Sequence, residues 1–261
     1  MVKPTTSIDR RNRIFNLALP IIGAMVSQSI LNLVDTAMVG QLGDVALAAV
    51  GLGGLVVFAG QAAVTGFSRA VQTMAAHRKG QGRISESAQI LNAALLIILL
   101  ISPLTSAVLV WAAPWFYPLL NPDPAVVAAG IPYFEVRILA TVFVGMNYAF
   151  RGYWNAIDRS RIYLSTLLVI HISNILLNYI LIFGHFGAPA MGVTGAGLAS
   201  AIAVALGTLT YLVMALRHAR SYGFLSGLPT PADIRNLVSQ AIPNSINDFS
   251  FLAGFTALYW I

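Results

Sequence analysis

Cysteine is absent from the 261 residues, which excludes both a disulfide framework and a thiolate metal site. Charge is nearly as scarce: 9% of residues are charged against 57% hydrophobic, and mean hydropathy is +0.78. A soluble domain of this length would have far too little polar surface with that composition. The four histidines are too scattered to suggest a metal cluster. Neither a G-x-S-x-G nor an H-E-x-x-H pattern occurs, so an intramembrane hydrolase would lack its nucleophile or its zinc pair, and an enzyme is the least favoured class. The isoelectric point of about 9.9 could suggest nucleic acid. The basic residues, however, fall in short clusters between apolar runs, where they read as topology signals.

What the chain does contain is a series of apolar runs, each long enough to cross a hydrocarbon core of about 30 Å. Periodicity and length predict helices over about 14–40, 45–76, 88–113, 125–150, 161–184, 192–216 and 237–261. The fold class expected is an all-α membrane protein with six complete transmembrane helices and a truncated seventh. Lys3, Arg10, Arg11 and Arg13 precede the first helix, and further basic clusters mark every second connection. Arg69, Arg78, Lys79 and Arg83 are at the second, Arg151, Arg159 and Arg161 at the fourth, and Arg217, Arg220 and Arg235 at the sixth. By this count 14 of the 15 Lys and Arg residues share one side, which the positive-inside rule makes cytoplasmic, with the N-terminus. Arg137 is the exception, and its neighbour Glu135 suggests a local ion pair or a headgroup contact. The first hydrophobic run is too long for a signal peptide, contains an acid and is followed by more spans, so it reads as retained.

Three regions follow: 1–220 as a six-helix lobe, 221–236 as an interfacial linker, and 237–261 as the start of a second lobe. SGLPTPADIRNLVSQ begins with turn residues and then turns amphipathic, the pattern of a segment lying along the cytoplasmic interface. ALYWI stops inside an apolar run. The approach to Pro243 from Arg235, NLVSQAIP, echoes the approach to Pro20 from Arg13, IFNLALP. Internal repeats are frequent in secondary transporters, whose sites lie near the repeat interface. The chain is therefore expected to hold the first half of a roughly twelve-helix protein and a fragment of the second.

Asp35 is a lone carboxylate in the first apolar run, and an acid at that depth is expensive unless it faces an ion or proton site in the protein interior. Gln28, Asn32 and Asp35 are spaced along one face of the first helix, and His171, Asn174 and Asn178 along one face of the fifth. Counting inward from the helix ends at about 1.5 Å per residue puts Asp35, Asn174, Asn178 and Ser200 at one level, in the outer part of the membrane. Hard cations prefer oxygen ligands, so H⁺ and Na⁺ are both candidate occupants, with Asp35 the metal ligand if the ion is Na⁺. The competing account is that the Asn and Ser side chains glue helices together. His171 reads as an interhelical hydrogen-bonding group. Gln28, Asn32, Gln61, Thr65, His171 and Asp248 are candidate cavity-lining residues, and Asp248 is either a second ionisable site or a group near the cytoplasmic interface. Pro20 is a candidate hinge.

LALPIIGAMVSQSILNLVDTAMVGQLGDVALAAVGLGG resembles the opening of multidrug and toxic compound extrusion (MATE) transporters. AFRGYWNAIDRSRIYL, NILLNYILIFG and GVTGAGLASAIA resemble their fourth, fifth and sixth helices, so the resemblance covers essentially the whole chain. It is nearest to the DinF-like (DNA-damage-inducible) branch, in which an aspartate of the first helix belongs to a cation or proton site of the N-terminal lobe. The resemblance implies that Asp35 is that aspartate, that Asn174 is the asparagine of the fifth helix, and that Ser200 replaces a hydroxyl, usually threonine, of the sixth. Many relatives carry aspartate where this chain has Asn178, which leaves Asp35 as the site's one carboxylate. The resemblance further implies twelve helices in two lobes with substrate passing between them.

The function expected is secondary active antiport: export of cationic or amphipathic small molecules against H⁺ or Na⁺ entry, in a bacterial inner membrane. No cofactor is expected beyond the coupling ion. The partners expected are the substrate, the lipid bilayer and a C-terminal lobe, with no nucleic acid. Two alternatives are a flippase of lipid-linked precursors from the same superfamily and a non-transporting truncated product.

Overall fold

The computed structural model describes residues 7–258, and among them the secondary structure is helical with no strand. Lys3, residues 259–261 of the ALYWI end, and the side chains of Arg10, Arg11 and Arg13 lie outside the described residues. The helices are α1 (Ser7–Gly40), α2 (Asp44–Thr65), α3 (Phe67–Gly80), α4 (Ser87–Leu120), α5 (Pro124–Leu139), α6 (Thr141–Ala156), α7 (Ser160–Phe183), α8 (Gly192–His218) and α9 (Pro231–Leu258). Five stretches are long and apolar enough to cross a membrane: Ala18–Gly40, Asp44–Gly80, Ile84–Leu120, Ser160–Phe183 and Gly192–His218. A sixth results when α5 and α6 are taken as one span bent by 49°. This is the six-span arrangement that the apolar runs predict.

Local structure departs from the sequence reading at four places. The predicted second helix is interrupted at Gly66, and the fourth at Ala140. At Ala140 the bend leaves the Ile138 carbonyl in need of partners, and it accepts from Thr141 Oγ1 and from Ser106 Oγ of α4, both at 2.6 Å. A buried backbone group outside its ladder must be repaired in this way. The predicted third helix runs past Pro114 and Pro118 to Leu120, although each proline removes a backbone donor and crowds the carbonyl four residues before it. Residues 231–236, expected in an interfacial linker, form the first turns of α9, which continues unbroken through Pro243.

Apolar packing divides into two regions along the helices, an outer one on the side of the α1 end at Gly40 and an inner one on the opposite side. The inner core joins α3, α4, α6, α8 and the early part of α9 around Phe67, Ile90, Leu91, Phe150, Trp154, Tyr211 and Leu237. Phe150 and Tyr211 stack there with centroids 5.2 Å apart. The outer region has two clusters, one around Val39, Ala49, Tyr133 and Ile182, the other around Val57, Tyr117, Phe134 and Ile138. Close helix crossings depend on missing side chains. A Cβ at Gly195 of α8 would lie 2.5 Å from the Leu181 carbonyl oxygen of α7, and one at Gly66 would lie 2.3 Å from that of Ala241 in α9. Small residues let transmembrane helices approach backbone to backbone. The α7–α8 contact carries the site.

The inner end of α9 is tied to the bundle by charge. Arg78 pairs with Asp233 at 2.5 Å and also donates to the Glu86 carbonyl oxygen at 2.8 Å.

Candidate functional site

Asp35 is half-buried on α1, which runs as one helix from Ser7 to Gly40 through the buried Pro20. Facing it, α7 presents Asn174 and Asn178, both buried, one turn apart, and α8 presents the buried Ser200. The four residues expected to share a level do so and are hydrogen-bonded together. Asn178 Nδ2 donates to Asp35 Oδ1 at 2.7 Å and to Asn174 Oδ1 at 3.1 Å, and Asn174 Nδ2 donates to Ser200 Oγ at 3.0 Å. With the Asn174 amide turned over, Nδ2 donates to Asp35 Oδ1 at 2.9 Å, and Oδ1 faces the Ser200 hydroxyl (3.0 Å) and backbone N–H (3.3 Å).

That choice has a chemical meaning. An amide N–H opposite Asp35 Oδ1 suits an ionised carboxylate, whereas an amide oxygen at the same place needs a proton on the acid. Asn178 Oδ1 is buried without a hydrogen-bond partner among the described residues, which leaves an unused oxygen acceptor beside the carboxylate. One carboxylate and neutral oxygens suit a proton or a hard monovalent cation. Among the described residues no group of three or more His, Cys, Asp or Glu could hold a metal ion.

Asn178 is the donor on which the carboxylate depends most directly. Asn178→Leu is expected to destabilise the helical bundle by about 1–3 kcal/mol, the cost of leaving buried polar groups unpartnered. A thermal unfolding midpoint in detergent equal to that of the unsubstituted chain would exclude this dependence.

The remaining candidates are distributed around this cluster. Gln28 and Asn32 are exposed on α1, with Gln28 Nε2 donating to Asn32 Oδ1 at 3.0 Å. His171 is buried and meets Ser27 and Gln28. Gln61 is buried and donates to the Arg137 carbonyl oxygen at 3.4 Å. Thr65 and Asp248 meet at 2.9 Å in a second place, a cavity of about 270 Å³ lined also by Phe58, Ser68, Arg69, Tyr148 and Arg151. Asp248 pairs there with Arg69. It therefore belongs to a contact between α9 and the α2–α3 break, away from Asp35.

One residue of the surroundings, Ser27, escaped the sequence reading, and Arg137 lacks the local partner suggested for it. Ser27 lies eight residues before Asp35, near enough to two turns to have been included in the α1 stripe. Arg137 was expected to pair locally with Glu135 or a headgroup, yet no ion pair joins them among the described residues. Residues two apart on a helix point to different faces. The guanidinium instead lies over the Tyr133 ring, 5.9 Å from its centroid, with a buried Nε that finds no hydrogen-bond partner among the described residues.

Comparison with known proteins gives this arrangement a context. The MatE family model matches residues 20–180. The probable multidrug resistance protein NorM of Rhizobium meliloti (strain 1021) is 35% identical over 191 residues, which are 73% of this chain and 40% of that protein. The multidrug resistance protein PmpM of Pseudomonas aeruginosa is 29% identical over 249 residues, 94% of this chain and 52% of that one. The fold superposes on an outward-facing multidrug resistance MATE family transporter of the MOP superfamily with a TM-score of 0.81 at 21% identity, covering 91% of this chain and 52% of that one. The chain spans about half the length of the curated relatives it matches.

Proposed function

Because the chain belongs to the MatE family, we propose that it forms the ion-coupling half of a secondary active antiporter for cationic or amphipathic small molecules. The integral membrane bundle would lie in a bacterial inner membrane with its N-terminus cytoplasmic, as the placement of its basic residues favours. A second lobe, begun by α9, would complete a roughly twelve-helix protein and the substrate passage. The observation that carries the reading is the Asp35 carboxylate, held by the Asn178 amide at 2.7 Å inside an apolar bundle. An acid so placed has one economical use, the uptake and release of a proton or cation. Its companions Asn174, Asn178 and Ser200 would line the ion's site, in keeping with the DinF-like resemblance of this half.

Coupling follows if the two transport states differ in their affinity for the ion at Asp35, since a ligand shifts a conformational equilibrium only by its differential affinity. Pro20, which removes one backbone donor from α1, is the candidate hinge for such a change. The test is flux of a fluorescent organic cation in proteoliposomes containing the two-lobe protein, with H⁺ and Na⁺ gradients imposed separately. One gradient is expected to drive accumulation well above the unenergised level. Equal flux with and without either gradient would rule out antiport.

A further inference from the structure

We propose that His171 is a second proton-binding residue of the α1–α7 seam, about two turns from Asp35 along the seam, where it holds α1 through Ser27 and Gln28. The assignment rests on the ion-coupled reading of this seam and extends it to a residue which that reading leaves unused.

His171 is 4% exposed, in the middle of α7, and both of its ring nitrogens meet α1. Ser27 Oγ lies 2.6 Å from Nδ1, and Gln28 Oε1 lies 3.3 Å from Nε2. Gln28 donates its own Nε2 to Asn32, so the end of the amide that meets the imidazole is an acceptor. With the Gln28 amide in this orientation, the neutral tautomer that satisfies both contacts carries its hydrogen on Nε2 and accepts from the Ser27 hydroxyl at Nδ1.

The same geometry accepts a proton without moving a heavy atom. When hydronium delivers a proton to Nδ1, an N–H bond forms, one O–H bond of hydronium breaks, and water leaves. The Ser27 hydroxyl then rotates from donor to acceptor, and the imidazolium is satisfied on both sides. A partner that could only donate at Nδ1 would oppose this step. The hydroxyl and the Gln28 oxygen together suit either state.

Few charges face the ring. From α1 the facing groups are neutral, with Asp35 the nearest carboxylate, about two turns outward. Between Gly192 and Leu209, α8 has no ionisable side chain. From α6, Arg151 lies over Tyr163, near the inner end of α7, 6.0 Å from the ring centroid. Ionised Asp35 with neutral His171 gives the seam a charge of minus one, and protonation of both gives plus one. With Asn178 in place of a carboxylate, the imidazole supplies the second protonatable group of the column.

The test uses the chain in lipid nanodiscs with His77, His185 and His218 replaced by Gln, so that ¹⁵N NMR reads His171 alone. The expected result is a bare Nδ1 and a protonated Nε2 at alkaline pH, with Nδ1 moving to the protonated position on acidification. Ser27→Ala should displace that change along the pH axis, because it removes the hydroxyl that serves both states. In the two-lobe protein, His171→Gln should alter the pH profile of efflux. An imidazole that stays one species over about pH 4–9, the window around an ordinary histidine, would overturn the proposal, as would an unaltered pH profile for His171→Gln. The underlying reading fails separately. Efflux insensitive to Asp35→Asn counts against coupling at Asp35, whereas a silent imidazole with efflux abolished by Asp35→Asn overturns only the role of His171.

Discussion

Asp35→Asn in the two-lobe protein is expected to reduce gradient-driven efflux to the level of empty proteoliposomes while leaving the protein folded. The substitution keeps the shape of the side chain and an acceptor oxygen. Asn178 Nδ2, which donates to Asp35 Oδ1 at 2.7 Å, thus retains its partner, as does the donor that Asn174 offers when its amide is turned over. What disappears is the ionisable group. An amide remains neutral on both sides of the membrane, so an ion gradient has no differential binding at this point with which to bias the two states. A loss of at least tenfold, about 1.4 kcal/mol of coupling, is the smallest effect consistent with Asp35 as the coupling residue. Thermal unfolding measured alongside separates loss of coupling from loss of structure. Full efflux from a protein carrying the substitution would remove Asp35 from the mechanism.

Gly152→Ala should have the largest effect on stability of any single methyl group added to the bundle. A Cβ at this position would lie 2.0 Å from the carbonyl oxygen of Ser68 and 2.9 Å from its carbonyl carbon. Both atoms are backbone, so no rotamer change relieves the contact, and α3 and α6 must separate. Those helices carry Phe67, Val71, Phe150 and Trp154 into the inner core. Overpacking costs typically about 1–3 kcal/mol. With two helix backbones in the way, the upper end, about 3 kcal/mol, is expected, a sizeable part of a typical protein's total stability. The check is a fall in the thermal unfolding midpoint, with aggregation on size exclusion. A midpoint within a degree or so of the unsubstituted chain would mean that the two helices are not in close contact.

The apolar spans were legible because every turn of a membrane helix must be apolar and must satisfy its own backbone, so length and hydropathy alone mark them. The level shared by Asp35, Asn174, Asn178 and Ser200 was legible for a related reason: a regular rise per residue converts sequence position into depth. That the faces also converge depends on the close crossing at Gly195, which a sequence does not display. The breaks at Gly66 and Ala140 were hidden because their causes are tertiary. One goes with the approach of α9, and the other with a hydroxyl of α4 that repairs the freed Ile138 carbonyl. Glu135 is no partner of Arg137 among the described residues because the direction of a side chain from the helix, and not its distance along the sequence, decides its partners. Ser27 was overlooked because a serine in a membrane helix is so often idle, and only the position of His171 across the seam distinguishes it.

Both interruptions, at Gly66 and at Ala140, fall between the inner core and the outer clusters. The bundle is therefore built in two storeys, with α2 and α5 jointed where they pass from the outer one to α3 and α6 in the inner one. Sub-global opening follows such boundaries, and each storey sets its own opening free energy. The Asp35 cluster lies in the outer storey, with Val39 and Ile182 one turn beyond it. The large aromatic side chains Phe150, Tyr153, Trp154 and Tyr211 anchor the inner one. Rearrangement around Asp35 can be absorbed at the two joints, leaving the inner storey as the fixed footing on which the outer one moves.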